Sequence, residues 1–141
     1  MSVHAASYRD LMVYQKARGV AKEVFAVSQR FPREETYALT DQVRRSSRSI
    51  GAQIAEAWAK RRYEKHFLSK LSDADGEQYG TQHWVDTALD CGYVTSEDAV
   101  RLKDGLAQIG RMLNGMMEKS TSFCSGSPLV VKEDATEYFT P

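Results

Sequence analysis

Residues 39–62 read LTDQVRRSSRSIGAQIAEAWAKRR. Wound at 100° per residue, this segment places Leu39, Val43, Ser46, Ile50, Ile54, Ala57 and Trp58 on one side, a stripe that needs a core and so predicts an amphipathic helix. The opposite side combines Gly51, Ala52, Ala55 and Ala59 with Arg44, Arg45 and Arg48. Long cations stand there beside a strip with little side-chain bulk, which a second helix or a phosphate backbone can approach closely.

Upstream, a first helix is predicted from Tyr8 to about Gln29, with Tyr14, Ala17, Ala21, Val24, Phe25 and Ser28 on one face and Val13, Val20 and Val27 as a flanking stripe. Phe31-Pro32 ends it, and Pro32 suits the first turn of the next helix, where a missing N–H costs little. Downstream, a third helix from about Tyr63 carries Phe67, Leu71, Ala74, Gln78, Thr81, Val85 and Ala88 at alternating four- and three-residue spacing. Gly76 and Gly80 interrupt it and call for close approach of a neighbour or a local bend. Gly92 stops it, and Thr95 with Asp98 resembles a capping box opening a fourth helix along Ala99, Leu102, Leu106, Ile109, Leu113 and Met116. Four amphipathic helices, short connections and no strand pattern specify an all-α, up-down-up-down four-helix bundle over residues 8–118. Residues 1–7 and 119–141 read as a flexible N-terminus and a C-terminal tail.

Formal net charge is zero over the 141 residues, but its distribution is polarised. Between Arg44 and Lys70 eight basic residues face two acidic ones, whereas Leu71 to Asp98 holds seven acidic residues and no Lys or Arg. In an up-down bundle one end collects Lys60, Arg61, Arg62 and Lys65, and the other collects Glu34, Glu35, Asp86, Asp90, Glu97 and Asp98. The third helix is thereby charged against its own dipole, which stability alone does not select.

Catalytic and metal chemistry find no support. No Glu is followed three residues later by His, so the di-iron bundle pattern is missing, and no His-Glu-x-x-His, Gly-x-Ser-x-Gly or Walker-type loop occurs. Ser46, Ser47 and Ser49 have no His near them, and Trp58, Tyr63, Phe67, Tyr79 and Trp84 read as core or interface aromatics before base-stacking platforms. The expectation is a non-enzyme that needs no cofactor. Cys91 and Cys124 lack metal-type spacing and read as reduced thiols, which points to the cytoplasm. No run of about 18 apolar residues and no basic segment followed by an apolar one predicts membrane insertion or export.

Leu11, Tyr14 and Ala17, then Phe31-Pro32, Glu35, Tyr37 and Leu39, then Gln42, Arg44-Arg45, Ser49-Ile50 and Ile54-Ala55-Glu56 make the chain resemble the four-helix proteins encoded by 23S rRNA intervening sequences. These are related to the accessory protein of diversity-generating retroelements. Weaker matches fall at Gly76, Trp84, Gly92-Tyr93 and Met112-Leu113. The resemblance implies a homopentameric barrel around a central channel and no assigned activity. Ala57 stands where the family tends to have Gly, and Gly80 where an acidic residue is common.

Three uses of the basic residues remain open. Arg44, Arg45, Arg48, Lys60, Arg61, Arg62 and Lys65 form a solvated, salt-bridged surface, or bind RNA or DNA through phosphates with cyclic symmetry multiplying each cation, or meet the carboxylates of an unidentified protein in a scaffold. The small-residue strip Gly51, Ala52, Ala55 and Ala59 is the expected contact between copies of the chain.

Overall fold

The computed structural model describes residues 3–4, 6–124 and 130–131. Four long helices carry the fold, α1 Met12–Ser28, α2 Asp41–Ala59, α3 Glu64–Asp90 and α4 Ser96–Glu118, and a short α5 Ser120–Cys124 follows. Each packs on its neighbour in sequence, and α1 closes the square against α4, giving the all-α bundle that the four stripes specify.

The stripes of α2, α3 and α4 are buried residue for residue as their spacing predicts. The face of α1 is rotated from the expected one. Val13, Ala17, Val20, Val24 and Val27 are the buried line, while Tyr14 and Ala21 lie at its edge and Phe25 is exposed. The α1 segment also starts later than expected. Ser7 caps a 3-10 turn at Tyr8–Asp10, accepting from the Arg9 N–H at 2.9 Å while Asp10 accepts from the Ser7 N–H at 3.2 Å. Leu11 then leaves helical geometry and is buried in the core.

The approach to α2 is not one uniform helix. Pro32 precedes a 3-10 turn at Arg33–Glu35 and a wide π turn at Thr36–Thr40, and regular α geometry begins only at Asp41. Leu39 and Thr40 both reach the core from the wide turn, and Tyr37 stands out from it, 82% exposed.

Gly92, at φ +77°, ends α3 in a complete Schellman motif: the Tyr93 N–H donates to Ala88 O at 2.9 Å and the Gly92 N–H to Leu89 O at 3.0 Å. At α4 half of the expected capping box forms. Thr95 Oγ1 accepts from the Asp98 N–H at 3.0 Å, but the Asp98 carboxylate is held instead by Arg101 at 2.9 Å and Arg30 at 3.3 Å. That pairing, led by the Arg101 hydrogen bond, keeps Asp98 below the ordinary carboxylate pKa. At the same end Tyr93 Oη donates to Glu35 at 2.8 Å and links the turn before α4 to the approach to α2; the bond pushes the phenol up to about 12.

Several polar groups inside the bundle are matched across or along helices, while Gln53 Oε1 and Glu77 Oε2 are buried without a hydrogen-bond partner among the described residues. Thr81 Oγ1 lies 2.8 Å from Ser46 Oγ, joining α3 to α2. Gln78, 2% exposed, donates to Asp75 Oδ1 at 2.9 Å and accepts from Gln82 at 2.7 Å. The close helix approaches fall at glycines other than those expected: a Cβ on Gly110 would meet Gln78 Nε2 at 2.7 Å, and one on Gly105 would meet Val20 at 3.1 Å. Gly76 and Gly80 have open space around them, so packing within the chain does not account for them.

Residues 120–124, part of the tail by sequence, form α5 and pack on α3 and α4. Phe123 is 3% exposed and stacks on Phe67 at 5.8 Å between ring centroids, and Ser120 Oγ donates to Glu64 at 2.6 Å. Val3–His4 and Val130–Val131 form a two-residue antiparallel pair, too short for any alternation to announce it. The rest of the expected tail lies outside the described residues.

Candidate nucleic-acid interface

The seven candidate cations do not form one patch. Lys60, the cap just past the end of α2, is twelve positions beyond Arg48, about 18 Å along the axis, so Arg44, Arg45 and Arg48 form one group and Lys60, Arg61, Arg62 and Lys65 another at the bundle end.

In the first group Arg44 is partly engaged with α1. Its Nε donates to Ser28 Oγ at 2.7 Å, and its guanidinium lies 4.6 Å from the Phe25 ring centroid, with Arg48 at 5.6 Å. Two cation–π contacts therefore cover the exposed phenyl ring that the stripe assignment placed in the core. Arg45 donates to Gln42 Oε1 at 3.1 Å and is exposed. Tyr37, Asp41, Gln42 and the three arginines line a shallow groove of about 670 Å³.

In the second group Lys60, Arg62 and Lys65 are exposed, but Arg61 is not the free turn residue that the sequence suggests. Its Nε donates to Trp58 O at 2.9 Å and its guanidinium stacks 3.6 Å from the Trp58 ring, so it caps the last turn of α2. Burial lowers its pKa from the ordinary arginine value, with Cys124 opposing. Burial likewise raises the pKa of the Cys124 thiol, Glu64 adding to the effect.

Ion pairs gather elsewhere. Arg101 reaches Glu23 at 2.9 Å and Asp98 at 2.9 Å, Arg30 reaches Asp98 at 3.3 Å, Lys103 reaches Asp86 at 2.7 Å, and Lys70 reaches Glu56 at 3.5 Å. Among the described residues no carboxylate lies within ion-pair distance of Arg44, Arg45, Arg48, Lys60, Arg62 or Lys65. The sequence-level picture of an internally salt-bridged basic surface therefore does not hold for these six.

The small-residue strip divides. Gly51 faces the Tyr14 ring of its own chain, and a Cβ there would sit 3.6 Å from it, in ordinary van der Waals contact, so its neighbour within the chain does not demand glycine. Gly51, Ala52 and Ala55 line a groove of about 400 Å³ between α1 and α2, together with Tyr8, Tyr14, Arg18 and Arg48. Ala59 lies beyond it, exposed.

Residues 9–115 match the family described as 23S rRNA-intervening sequence protein. The chain belongs to that family. The fold of this family member is similar to a 1.70 Å crystal structure of a protein with unknown function from the S23 ribosomal protein family of Bacteroides thetaiotaomicron VPI-5482, with a TM-score of 0.69 and 24% identity. The likeness covers 76% of this chain and 99% of that one, and at this identity it concerns the fold. No curated protein matches. Neither the family description nor that crystal structure indicates a catalytic activity.

The candidate site includes a residue that helical spacing could have found. Tyr37 precedes the buried Leu39 by two positions, 200° round a helix, and so belongs on the arginine side. Of the other aromatics, Trp58 and Phe67 are buried as expected, while Tyr63 and Tyr79 are 58% and 64% exposed. Among the described residues no group of three His, Cys, Asp or Glu side chains comes together, and no helix is long and apolar enough to cross a membrane.

Proposed function

We propose that the chain is a non-catalytic homo-oligomer, a pentamer by its family resemblance, that holds RNA or DNA through phosphate contacts with no dependence on base sequence. The observation that carries this reading is the grouping of unpaired charge: among the described residues Arg44, Arg45 and Arg48 on α2, and Lys60, Arg62 and Lys65 around the turn into α3, form two clusters without a carboxylate partner. Arg30, Arg101 and Lys103 are engaged by carboxylates, and the other unpaired cations of α1 and α4, Lys16, Arg18, Lys22 and Arg111, belong to neither cluster. Unpaired cations held in rows are costly to crowd together, and phosphates relieve that repulsion. Ala52, Ala55 and Ala59 serve as the contact between copies, and cyclic repetition raises the local field above what a chain of zero net charge produces alone. Residues 8–118 act as the assembling unit. The free thiols Cys91 and Cys124 suit a reducing compartment, and a cytoplasmic location is part of the proposal.

Fluorescence anisotropy with labelled RNA and DNA tests the reading. Binding of both is expected at about 50 mM salt, with affinity falling by about 0.9 log units per log unit of salt for each contacted duplex phosphate. Failure to bind either nucleic acid at that salt would sink it, leaving the cations to a protein partner's carboxylates.

A further inference from the structure

We infer that the groove beside Tyr37 takes single-stranded rather than double-stranded nucleic acid, with a base stacked on the Tyr37 ring and the flanking phosphates on Arg45 and Arg48. The inference rests on the phosphate-binding reading and specifies its ligand. Its ground is where the exposed rings stand. Among the described residues four aromatic side chains are exposed, Phe25, Tyr37, Tyr63 and Tyr79. Three of them stand at the two clusters of cations without a carboxylate partner, Phe25 under Arg44 and Arg48, Tyr37 in the groove with Arg44, Arg45 and Arg48, and Tyr63 between Arg62 and Lys65 in sequence, while Tyr79 shares its groove with one cation, Arg111, and one carboxylate, Glu118.

An isolated exposed ring needs no explanation. Recurrence of the ring–cation pairing at both cation groups does. A duplex turns its bases inward and offers a protruding ring only sugar and phosphate, so the apolar area of Tyr37 gains nothing from it. A single strand offers the face of a base beside each phosphate, and every base has such a face, which keeps the site tolerant of sequence. Phe25 is already covered by its two guanidinium groups, whereas Tyr37 is 82% exposed and uncovered. The wide turn at Thr36–Thr40 holds it there, a backbone form that recurs at functional sites. Asp41 also lines the groove and repels phosphate, so the local balance is three arginines against one carboxylate.

The test uses the full chain with oligo(dT) and oligo(U) of twelve nucleotides and a mixed-sequence duplex of the same length. Both single strands are expected to bind more tightly than the duplex. Tyr37→Ala should weaken single-strand binding by roughly 5- to 140-fold, the range for one lost base–aromatic stack, and leave duplex binding and the salt slope unchanged. Tyr37→Phe should restore affinity, since the ring and not the hydroxyl stacks. Tyr79→Ala, at an exposed ring in the groove between α3 and α4, should change nothing. Equal loss for duplex and single strand in Tyr37→Ala, or a loss that appears only together with smaller assemblies in sedimentation, would overturn the inference. Duplex binding at least as tight as single-strand binding would overturn it too while leaving phosphate binding standing, and no binding of any probe would remove both.

Discussion

Phe67→Ala is expected to lower the unfolding free energy by about 3–5 kcal/mol, a large share of the roughly 5–15 kcal/mol that holds a domain of this kind together. Phe67 is 0% exposed and is the largest of the fully buried side chains. It lies in the first turn of α3 and stacks on Phe123, so its ring is shared between the bundle and α5. Truncation removes the transfer energy of the phenyl group and leaves a cavity that a helix fixed by Leu71 one turn on and Ala74 two turns on cannot close. Phe123→Ala should cost less, because α5 is a short helix able to shift. Urea denaturation followed by circular dichroism gives both numbers. A loss under 1 kcal/mol for Phe67→Ala would mean that α5 does not seal this end of the core.

The second large effect concerns charge. Replacing Arg45, Arg48, Lys60, Arg62 and Lys65 together by Gln should abolish most salt-dependent binding of nucleic acid. If each cation neutralises one duplex phosphate, the five together give a slope near 4.5 log units per log unit of salt. Between 50 and 200 mM salt that slope corresponds to about a 500-fold change in affinity. The variant should lose the slope and keep its helicity, since all five side chains are exposed and lack carboxylate partners. Arg61 is left in place because it stacks on Trp58 and caps α2, and Arg44 because it is bonded to Ser28. An unchanged slope in the quintuple variant would place the phosphates elsewhere on the molecule.

The bundle was legible wherever a stripe ran uninterrupted. In α3 and α4 each predicted core position is buried, because three- and four-residue spacing leaves one choice of face. On α1 two adjoining faces competed: Ala17, Val24 and Ser28 are buried as expected and so is the flanking stripe Val13, Val20 and Val27, but Tyr14, Ala21 and Phe25 pulled the centre of the expected face away from the valines. The sequence of α1 does not show that Arg44 and Arg48 cover Phe25, since those contacts come from α2. The same limit hid the partners of Gly51 and Gly110, which lie on other helices. Phe123 was missed because a Ser-rich stretch suggests a loop, and its stacking partner Phe67 lies far away in sequence. At the candidate site the cations could be named from sequence, and so could their sorting into two groups, given the helical rise. Which of them are engaged within the chain could not, since Arg61 and Arg44 are set apart by Trp58, Phe25 and Ser28.

The order in which the helices pack carries a further consequence, for kinetics. Three of the four long-helix contacts join successive segments, and among the long helices it is the seam of α1 with α4 that unites distant parts of the chain. Closing that seam costs the most loop entropy, and until Gly105 reaches Val20 and Arg101 reaches Glu23 nothing compensates for it. The seam should form last and open first. Amide hydrogens of α1 and α4 should then exchange through a subglobal opening while those of the α2–α3 pair wait for complete unfolding, and uniform protection of all four helices would contradict this order.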